Sequence, residues 1–208
     1  MLRLKNVRKY FSRNLVLDIP SLELENNIYW VKGGNGSGKS TLLRMVAGLL
    51  PFEGRITFKD ADLSRQPVMY RRHISWADAE PLFPAFTTGA ELMEFYRRIR
   101  GSTTGEVGAL TGVFGMQEYI HLKTGTYSSG TLKKLSLMLA FLGHPSLILL
   151  DEPLITLDTA SLAIVCDLVQ EKHESGSLFL LSSHQQHEAP VIFSGKQLLV
   201  SNQTVQLL

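Results

Sequence analysis

The chain has 208 residues, of which 44% are hydrophobic, and its formal net charge is +2. This length and composition predict one globular domain with a full core. The sequence contains no block of five or six like charges that could serve as a basic arm, so we expect no direct nucleic-acid partner. No apolar run approaches the roughly 20 residues that a membrane helix needs, which predicts a soluble chain.

The predicted elements of the first third are short strands around one loop and helix. Strands are predicted at residues 2–4, 15–17, 28–31, 54–58 and 74–76, and the loop with its helix at residues 33–50. The sequence then becomes helical and Gly/Thr-rich, which predicts an inserted, mostly helical subdomain over approximately residues 81–135. Its last helix, starting at residue 131, is apolar on nearly every side after Lys134, as in a buried helix.

The last third alternates strand and helix. An apolar strand at residues 147–150 suits the centre of a parallel sheet, and a helix at 159–172 and a strand at 178–182 follow it. The single cysteine, Cys166, lies among apolar residues of that helix and is predicted to be a small core residue. One cysteine cannot form an internal disulfide, which favours a reducing compartment.

Residues 33–41 read GGNGSGKST and match the phosphate-binding pattern G-x-x-x-x-G-K-[ST]. Glycines allow successive backbone N–H groups to converge on phosphate oxygens, and the following helix directs its positive dipole end at them. Lys39 supplies a positive charge for the β- and γ-phosphates, and the Ser40 hydroxyl can ligate Mg²⁺. The chain is therefore predicted to bind a nucleoside triphosphate and Mg²⁺. The candidate binding residues in this loop are Gly33, Asn35, Gly36, Ser37, Gly38, Lys39, Ser40 and Thr41.

A second candidate site is the end of the apolar strand at residues 147–150, where two carboxylates follow. A strand emerging beside the phosphate loop can place Asp151 near Mg²⁺, directly or through a water. Glu152 can then orient or deprotonate the attacking water. The alternative interpretation is an ordinary acidic turn that closes a strand.

The order of five segments, GGNGSGKST, YSSGTLKKLSL, LILLDEP, LITLD and LLSSH, resembles the ATP-binding cassette (ABC) ATPase family over essentially the whole chain. The resemblance implies an α/β P-loop NTPase fold with a mixed sheet core, an antiparallel β subdomain and the helical subdomain, within a single domain of residues 1–208. It also implies one ATP and Mg²⁺ site with Lys39, Glu152 and His184 as catalytic residues. His184 follows a strand, from which its ring can reach the γ-phosphate.

An aromatic residue near the start of the chain stacks on adenine in this family. Phe11 falls at the matching position, and Tyr10 is the near alternative. Any flat ring offers a face to a base, which explains the residue type. The competing interpretation is an aromatic residue of the core.

Two segments depart from the family pattern. The signature loop LSGGQ is replaced by YSSGT, which keeps Ser128 and Gly130 but has Ser129 and Thr131 in place of glycine and glutamine. In the family this loop reaches the γ-phosphate of a partner in a head-to-tail dimer, so we expect a usable but weakened contact. The glutamine that usually follows the strand at 74–76 is also missing, and Asp78 or Glu80 is a candidate Mg²⁺ ligand in its place.

The resemblance implies the ATP-hydrolysing subunit of an ABC transporter. Such a subunit acts as a homodimer or heterodimer on transmembrane permease subunits, and is cytoplasmic and peripheral on the inner face of the membrane. Small haem-exporter-type and multidrug-type ATPases are equally similar, so the substrate and the direction of transport stay open. The alternatives are a weakly hydrolysing nucleotide-binding module in a heterodimer and a soluble, non-transport ABC ATPase.

Overall fold

The computed structural model describes residues 1–183 and 195–208. The strands are β1 Leu2–Phe11, β2 Asn14–Leu24, β3 Ile28–Lys32, β4 Glu53–Phe58, β5 Ala61–Asp62, β6 Ile74–Ala77, β7 Leu147–Leu150, β8 Leu178–Ser182, β9 Lys196–Ser201 and β10 Thr204–Leu207. The helices are α1 Lys39–Val46, α2 Pro67–Arg72, α3 Gly89–Arg100, α4 Thr104–Val113, α5 Ser129–Phe141 and α6 Thr159–Glu174, with a 3₁₀ turn at Thr124–Thr126.

The first sheet is antiparallel and has the strand order β2-β1-β4-β5. Leu2, Leu4 and Val7 are buried while the charged residues of β1 mostly face outward, so the strand has one apolar face. The predicted short strands at residues 2–4 and 15–17 are parts of the much longer β1 and β2. Residue Asn6 has a positive φ of 50° and falls at an irregularity in the pairing with β4, which shifts the alternation along the strand.

The second sheet has the order β10-β9-β3-β8-β7-β6. Strands β9, β3, β8, β7 and β6 run parallel, and β10 closes the edge as the antiparallel partner of β9. The four residues of β7 are all buried, as predicted for a strand at the centre of a parallel sheet. The C-terminal ends of β3, β7 and β8 therefore lie together at one edge of the sheet. The fold is the predicted α/β arrangement of a mixed sheet with a separate antiparallel sheet.

Helices α3, α4 and α5 lie between β6 and β7 in the chain, and α5 continues to Phe141, beyond the end predicted for the helical segment near residue 135. Thr88 and Glu91 form a reciprocal capping box at the start of α3, with each side chain accepting a backbone N–H of the other. The missed helix is α2, a six-residue element that starts at Pro67. Among the described residues, no helix combines the length and apolar character needed to cross a bilayer.

The core consists of two apolar clusters on opposite faces of the second sheet. Leu147 and Leu149 face the cluster that contains α1 and the antiparallel sheet, while Ile148 and Leu150 face the cluster that contains α5 and α6. Cys166 is 8% exposed and belongs to the second cluster, which confirms its prediction as a core residue. Because β7 is packed from both faces, the residues that follow it are held in a fixed position.

Candidate functional site

The phosphate loop joins β3 to α1, and α1 begins at Lys39. A Cβ atom on Gly33 would lie 2.4 Å from the carbonyl oxygen of Val200 and 2.5 Å from Ser37 Oγ, so β9 approaches too closely for any other residue. Gly38 precedes the helix with φ of 108°, a conformation that side-chain-bearing residues rarely adopt. Both glycines of the pattern are therefore required by the local backbone.

The ammonium group of Lys39 folds back onto the loop. It donates hydrogen bonds to the carbonyl oxygens of Gly33 at 2.9 Å and Gly34 at 3.1 Å. Burial lowers the pKa of this lysine, and the negative charges of Glu152 and Asp151 oppose that shift. The positive charge thus lies beside the two carboxylates that follow β7.

Asp151 is fully buried and brings the two motifs together. Its Oδ1 accepts hydrogen bonds from the hydroxyls of Ser40, at 3.0 Å, and of Ser182, at 2.6 Å. Its buried Oδ2 has no hydrogen-bond partner among residues 1–183 and 195–208. A hydroxyl and a carboxylate with an unused oxygen are hard ligands of the kind that Mg²⁺ prefers, so these residues fit the expected metal.

Glu152 follows with a left-handed backbone conformation, φ of 47°, and is only 6% exposed. Its backbone N–H donates to Ser182 Oγ at 2.9 Å. A positive φ is uncommon for a residue with a side chain and occurs at functional sites. Asp151 and Glu152 therefore form a buried, hydrogen-bonded turn at the sheet edge and not an exposed acidic turn.

Two further residues near this turn were missed by sequence reasoning. Lys133, in α5, is 1% exposed and donates to the carbonyl oxygens of Asp78, Ala79 and Asp151. Burial lowers the pKa of Lys133 to about 8, although nearby carboxylates oppose the shift. Ser182 lies within the segment LLSSH, but no role was predicted for it. The sequence does not distinguish Lys133 from its neighbour Lys134, because both precede the apolar part of α5.

The segment that lacks the family glutamine is also ordered by contacts. The guanidinium of Arg44, in α1, pairs with the carboxylate of Asp78 at 3.0 Å. That ion pair engages the carboxylate suggested as a Mg²⁺ ligand. A role of Asp78 as a Mg²⁺ ligand stays a prediction, and it would require this ion pair to open.

Phe11 lies at the end of β1 beside the phosphate loop. Phe11 is 47% exposed, so it is not an aromatic residue of the core. The centroid of its ring lies 4.8 Å from the Lys9 ammonium. Together with Val16 and the loop residues Gly36 and Gly38 to Thr41 it lines a pocket of about 300 Å³. Tyr10 is not among the residues that line this pocket. The arrangement favours Phe11 as the ring next to a bound base.

The signature loop starts α5. Ser128 is the N-cap, and its hydroxyl accepts the backbone N–H of Thr131 at 3.1 Å. Ser128 and Gly130 line a small pocket of about 170 Å³ with Thr156 and Asp158, apart from the pocket of the phosphate loop. His184, the candidate switch histidine, lies outside the described residues.

Comparisons with known proteins agree with this geometry. A family model described as "ABC transporter" matches residues 17–155. The ABC transporter ATP-binding protein NatA of Bacillus subtilis is 30% identical over 193 residues, covering 89% of this chain and 78% of that protein. The cytochrome c biogenesis ATP-binding export protein CcmA of Legionella pneumophila is 31% identical over 156 residues, covering 74% of this chain and 78% of that protein.

Solved structures give the same fold. A structure of the ATP-binding subunit of an ABC transporter matches with a TM-score of 0.89 at 23% identity, covering 100% of this chain and 90% of the other. A dimeric ATP-binding cassette bound to ADP and Pi, in a post-hydrolysis state, matches with a TM-score of 0.86 at 19% identity, covering 99% and 97%. With its phosphate loop and acidic pair joined at one sheet edge, this chain belongs to the ABC transporter ATP-binding family.

Proposed function

We propose that the chain binds Mg²⁺-ATP and hydrolyses it, acting as a dimer that drives transport through separate transmembrane permease subunits. The observation that carries this proposal is the hydrogen bond between Ser40 and Asp151, which joins the phosphate loop to the acidic pair. The NatA and CcmA similarities support the transport role. The protein would then be cytoplasmic and peripheral on the membrane, held there by its permease.

In this proposal the phosphates occupy the loop, and the backbone N–H groups at the start of α1 bind their oxygens. Lys39 exchanges its bonds to the loop carbonyls for bonds to the β- and γ-phosphates. Ser40 and Asp151 hold Mg²⁺, which supplies positive charge to the triphosphate. Phe11 stacks on the adenine, since its exposed ring lines the same pocket.

Glu152 is proposed to orient and deprotonate the attacking water. Its position directly after the proposed metal ligand supports that role, as does the electrostatic interaction of its carboxylate with the phosphate-loop lysine Lys39. In a dimer, Ser128 and Gly130 of one copy would contact the γ-phosphate bound by the other. His184 would report the loss of that phosphate after hydrolysis.

The test is the steady-state ATPase rate of three proteins. Glu152→Gln should lower turnover by roughly 10² to 10⁴ while ATP binding is kept, which is the scale for loss of a general base. Glu171→Gln, at an exposed glutamate of α6, is the control and should behave as the native chain. A native chain that binds ATP without hydrolysing it would instead support the second candidate.

That second candidate is a weakly hydrolysing module paired with an active partner in a heterodimer. The observation in its favour is Ser129, the first residue of α5, which adds a side chain where the family has glycine. Close approach of the backbone to a phosphate is harder at such a residue. Measured turnover of the purified chain alone separates the two candidates.

A further inference from the structure

The peptide group between Asp151 and Glu152 is held at both of its polar atoms by side chains. The Lys133 ammonium donates to the carbonyl oxygen of Asp151 at 3.1 Å, and Ser182 Oγ accepts the N–H of Glu152 at 2.9 Å. The two atoms belong to one planar unit, so bonds at both ends fix the orientation of that plane. The supporting side chains come from different elements, α5 and β8.

The orientation of this peptide plane is important because Glu152, which follows it, has an uncommon backbone conformation. Glu152 has φ of 47°, a region that residues with side chains avoid unless their surroundings impose it. The direction in which its Cβ leaves the chain depends on how the preceding peptide plane is set. Without support at that plane, the turn could relax and carry the carboxylate away from the phosphate loop.

Lys133 is bound by three acceptors and has three N–H donors. Besides Asp151, it donates to the carbonyl oxygens of Asp78 at 2.9 Å and Ala79 at 3.2 Å. A buried ammonium group is tolerated only when its donors are satisfied, and these three carbonyls match its number of donors. The lysine therefore ties the turn to the segment after β6.

Ser182 uses its hydroxyl in both directions. It accepts the N–H of Glu152 and donates to Asp151 Oδ1 at 2.6 Å, and the residue is fully buried at the end of β8. One hydroxyl can do both because it has one donor and two lone pairs. It consequently holds the backbone of one acidic residue and the carboxylate of the other.

We propose that Lys133 and Ser182 form a peptide clamp that positions Glu152 for catalysis without touching the nucleotide. This inference rests on the proposed function of Glu152 as the base. A displacement of about 1 Å in a catalytic group can cost roughly a hundredfold in rate, so loss of the clamp acts on turnover. Affinity for ATP in the absence of Mg²⁺ depends on the phosphate loop and is left nearly unchanged, whereas Mg²⁺ binding is not a neutral readout because Ser182 also bonds Asp151.

The direct test compares Ser182→Thr with Ser182→Val in the full chain. Threonine and valine have nearly the same shape and differ in the hydroxyl group. Both are larger than serine, so any effect of the added volume is the same in the two variants. The clamp predicts that valine lowers kcat by tenfold or more while the Kd for ATP, measured without Mg²⁺, stays within about twofold of native. Threonine should restore most of the lost rate. Equal kcat values for the two variants would overturn the proposal.

A matched control lies directly before the other end of the same strand. Ser177 is 5% exposed and its hydroxyl donates to the carbonyl oxygen of Pro145 at 2.7 Å. Ser177→Val removes a buried hydrogen bond of similar kind, remote from the acidic turn. It should lower thermal stability without the specific loss of kcat. A kcat loss at Ser177 as large as that at Ser182 would mean that the effect is general destabilisation.

Lys133→Met supplies an independent arm if the Ser182 variants do not fold. Both side chains hold the same peptide group. Once one of the two side chains has been removed, removal of the other should therefore cause a smaller further loss of kcat. The double variant with Ser182→Val should therefore be within about threefold of the slower single variant. Fold-losses that multiply would refute a shared clamp, as would native kcat in Lys133→Met.

Failure of the clamp and failure of the proposed function give different results. If the native chain does not hydrolyse ATP, or if Glu152→Gln leaves the rate unchanged, the proposed function itself is wrong. If hydrolysis depends on Glu152 while the Thr and Val variants of Ser182 are equally active, the clamp alone is wrong.

Discussion

The hydroxyl of Ser40 lies 3.0 Å from Asp151 Oδ1, although 111 positions separate the two residues in the chain. This contact exists because β8 lies between β3 and β7 in the parallel sheet, so that the ends of all three strands meet at one edge. Ligands of open α/β sheets bind at this carboxyl edge. The hydrogen bond thus joins the phosphate loop and the acidic pair after β7 into one site.

Replacement of Lys39 tests the nucleotide site. Lys39→Ala should weaken ATP binding and abolish turnover, because it leaves phosphate charge without its compensating ammonium. In the native chain, ATP at a hundredfold excess over its Kd should stabilise the fold by about 2.7 kcal/mol. Thermal denaturation with and without Mg²⁺-ATP measures binding, and phosphate release measures turnover. Lys5→Ala, at an exposed lysine of β1, is the control. No ATP-dependent shift in the native chain would contradict the site.

The pocket geometry predicts that Phe11 and not Tyr10 stacks on the base. Phe11→Ala should weaken ATP binding by about 1–3 kcal/mol, the usual range for base–aromatic stacking, while Phe11→Trp should retain it. Tyr10→Ala should have a smaller effect, since Tyr10 does not line the pocket. Isothermal titration with ATP compares the three variants, and a larger loss at Tyr10 would reverse the assignment.

The altered signature loop predicts a gain of function. Ser129→Gly with Thr131→Gln removes bulk at the start of α5 and supplies an amide donor, so the ATPase rate of a homodimer should rise. Ser128→Ala should lower the rate, but it also removes the N-cap of α5, which costs about 1 kcal/mol of stability. Ser128→Asn keeps a capping side chain and is the matched control for that loss. If none of these variants alters the rate, the loop does not form the contact across the dimer.

Burial of Cys166 predicts slow thiol chemistry. Burial raises the pKa of this thiol to about 11 from an ordinary value near 9. Between these values the unfolded chain has lost the thiol proton and the native chain keeps it, so this group lowers the free energy of unfolding as pH rises. Alkylation by iodoacetamide at pH 9 should be much slower in the native protein than in urea. Equal rates would place the thiol outside the core.

The motifs of the site could be predicted because each is local. GGNGSGKST and the apolar run before Asp151 specify a loop, a helix start and a buried strand within a few residues. The full length of β1 could not be predicted from a local pattern. The positive φ of Asn6 shifts the alternation of buried and exposed residues, so a regular period of two fails along the strand.

The supporting residues were not predictable because their partners are distant in the chain. Lys133 reaches carbonyl groups 18 and 54 to 55 positions away, and Ser182 reaches backbone and carboxylate atoms 30 and 31 positions away. Their bonds depend on how α5 and β8 pack against the sheet edge. A lysine in a helix and a serine at a strand end have no local signature of such contacts.

The most direct measurement for the central claim is the mass of Glu152→Gln in solution by light scattering, with and without Mg²⁺-ATP. Binding without hydrolysis should leave ATP trapped between two copies, each contributing its Ser128 loop to the other's phosphate loop. We expect a dimer with ATP and a monomer with ADP or without nucleotide. A variant that binds ATP but stays monomeric at every concentration would contradict a homodimeric ATPase and favour the heterodimer.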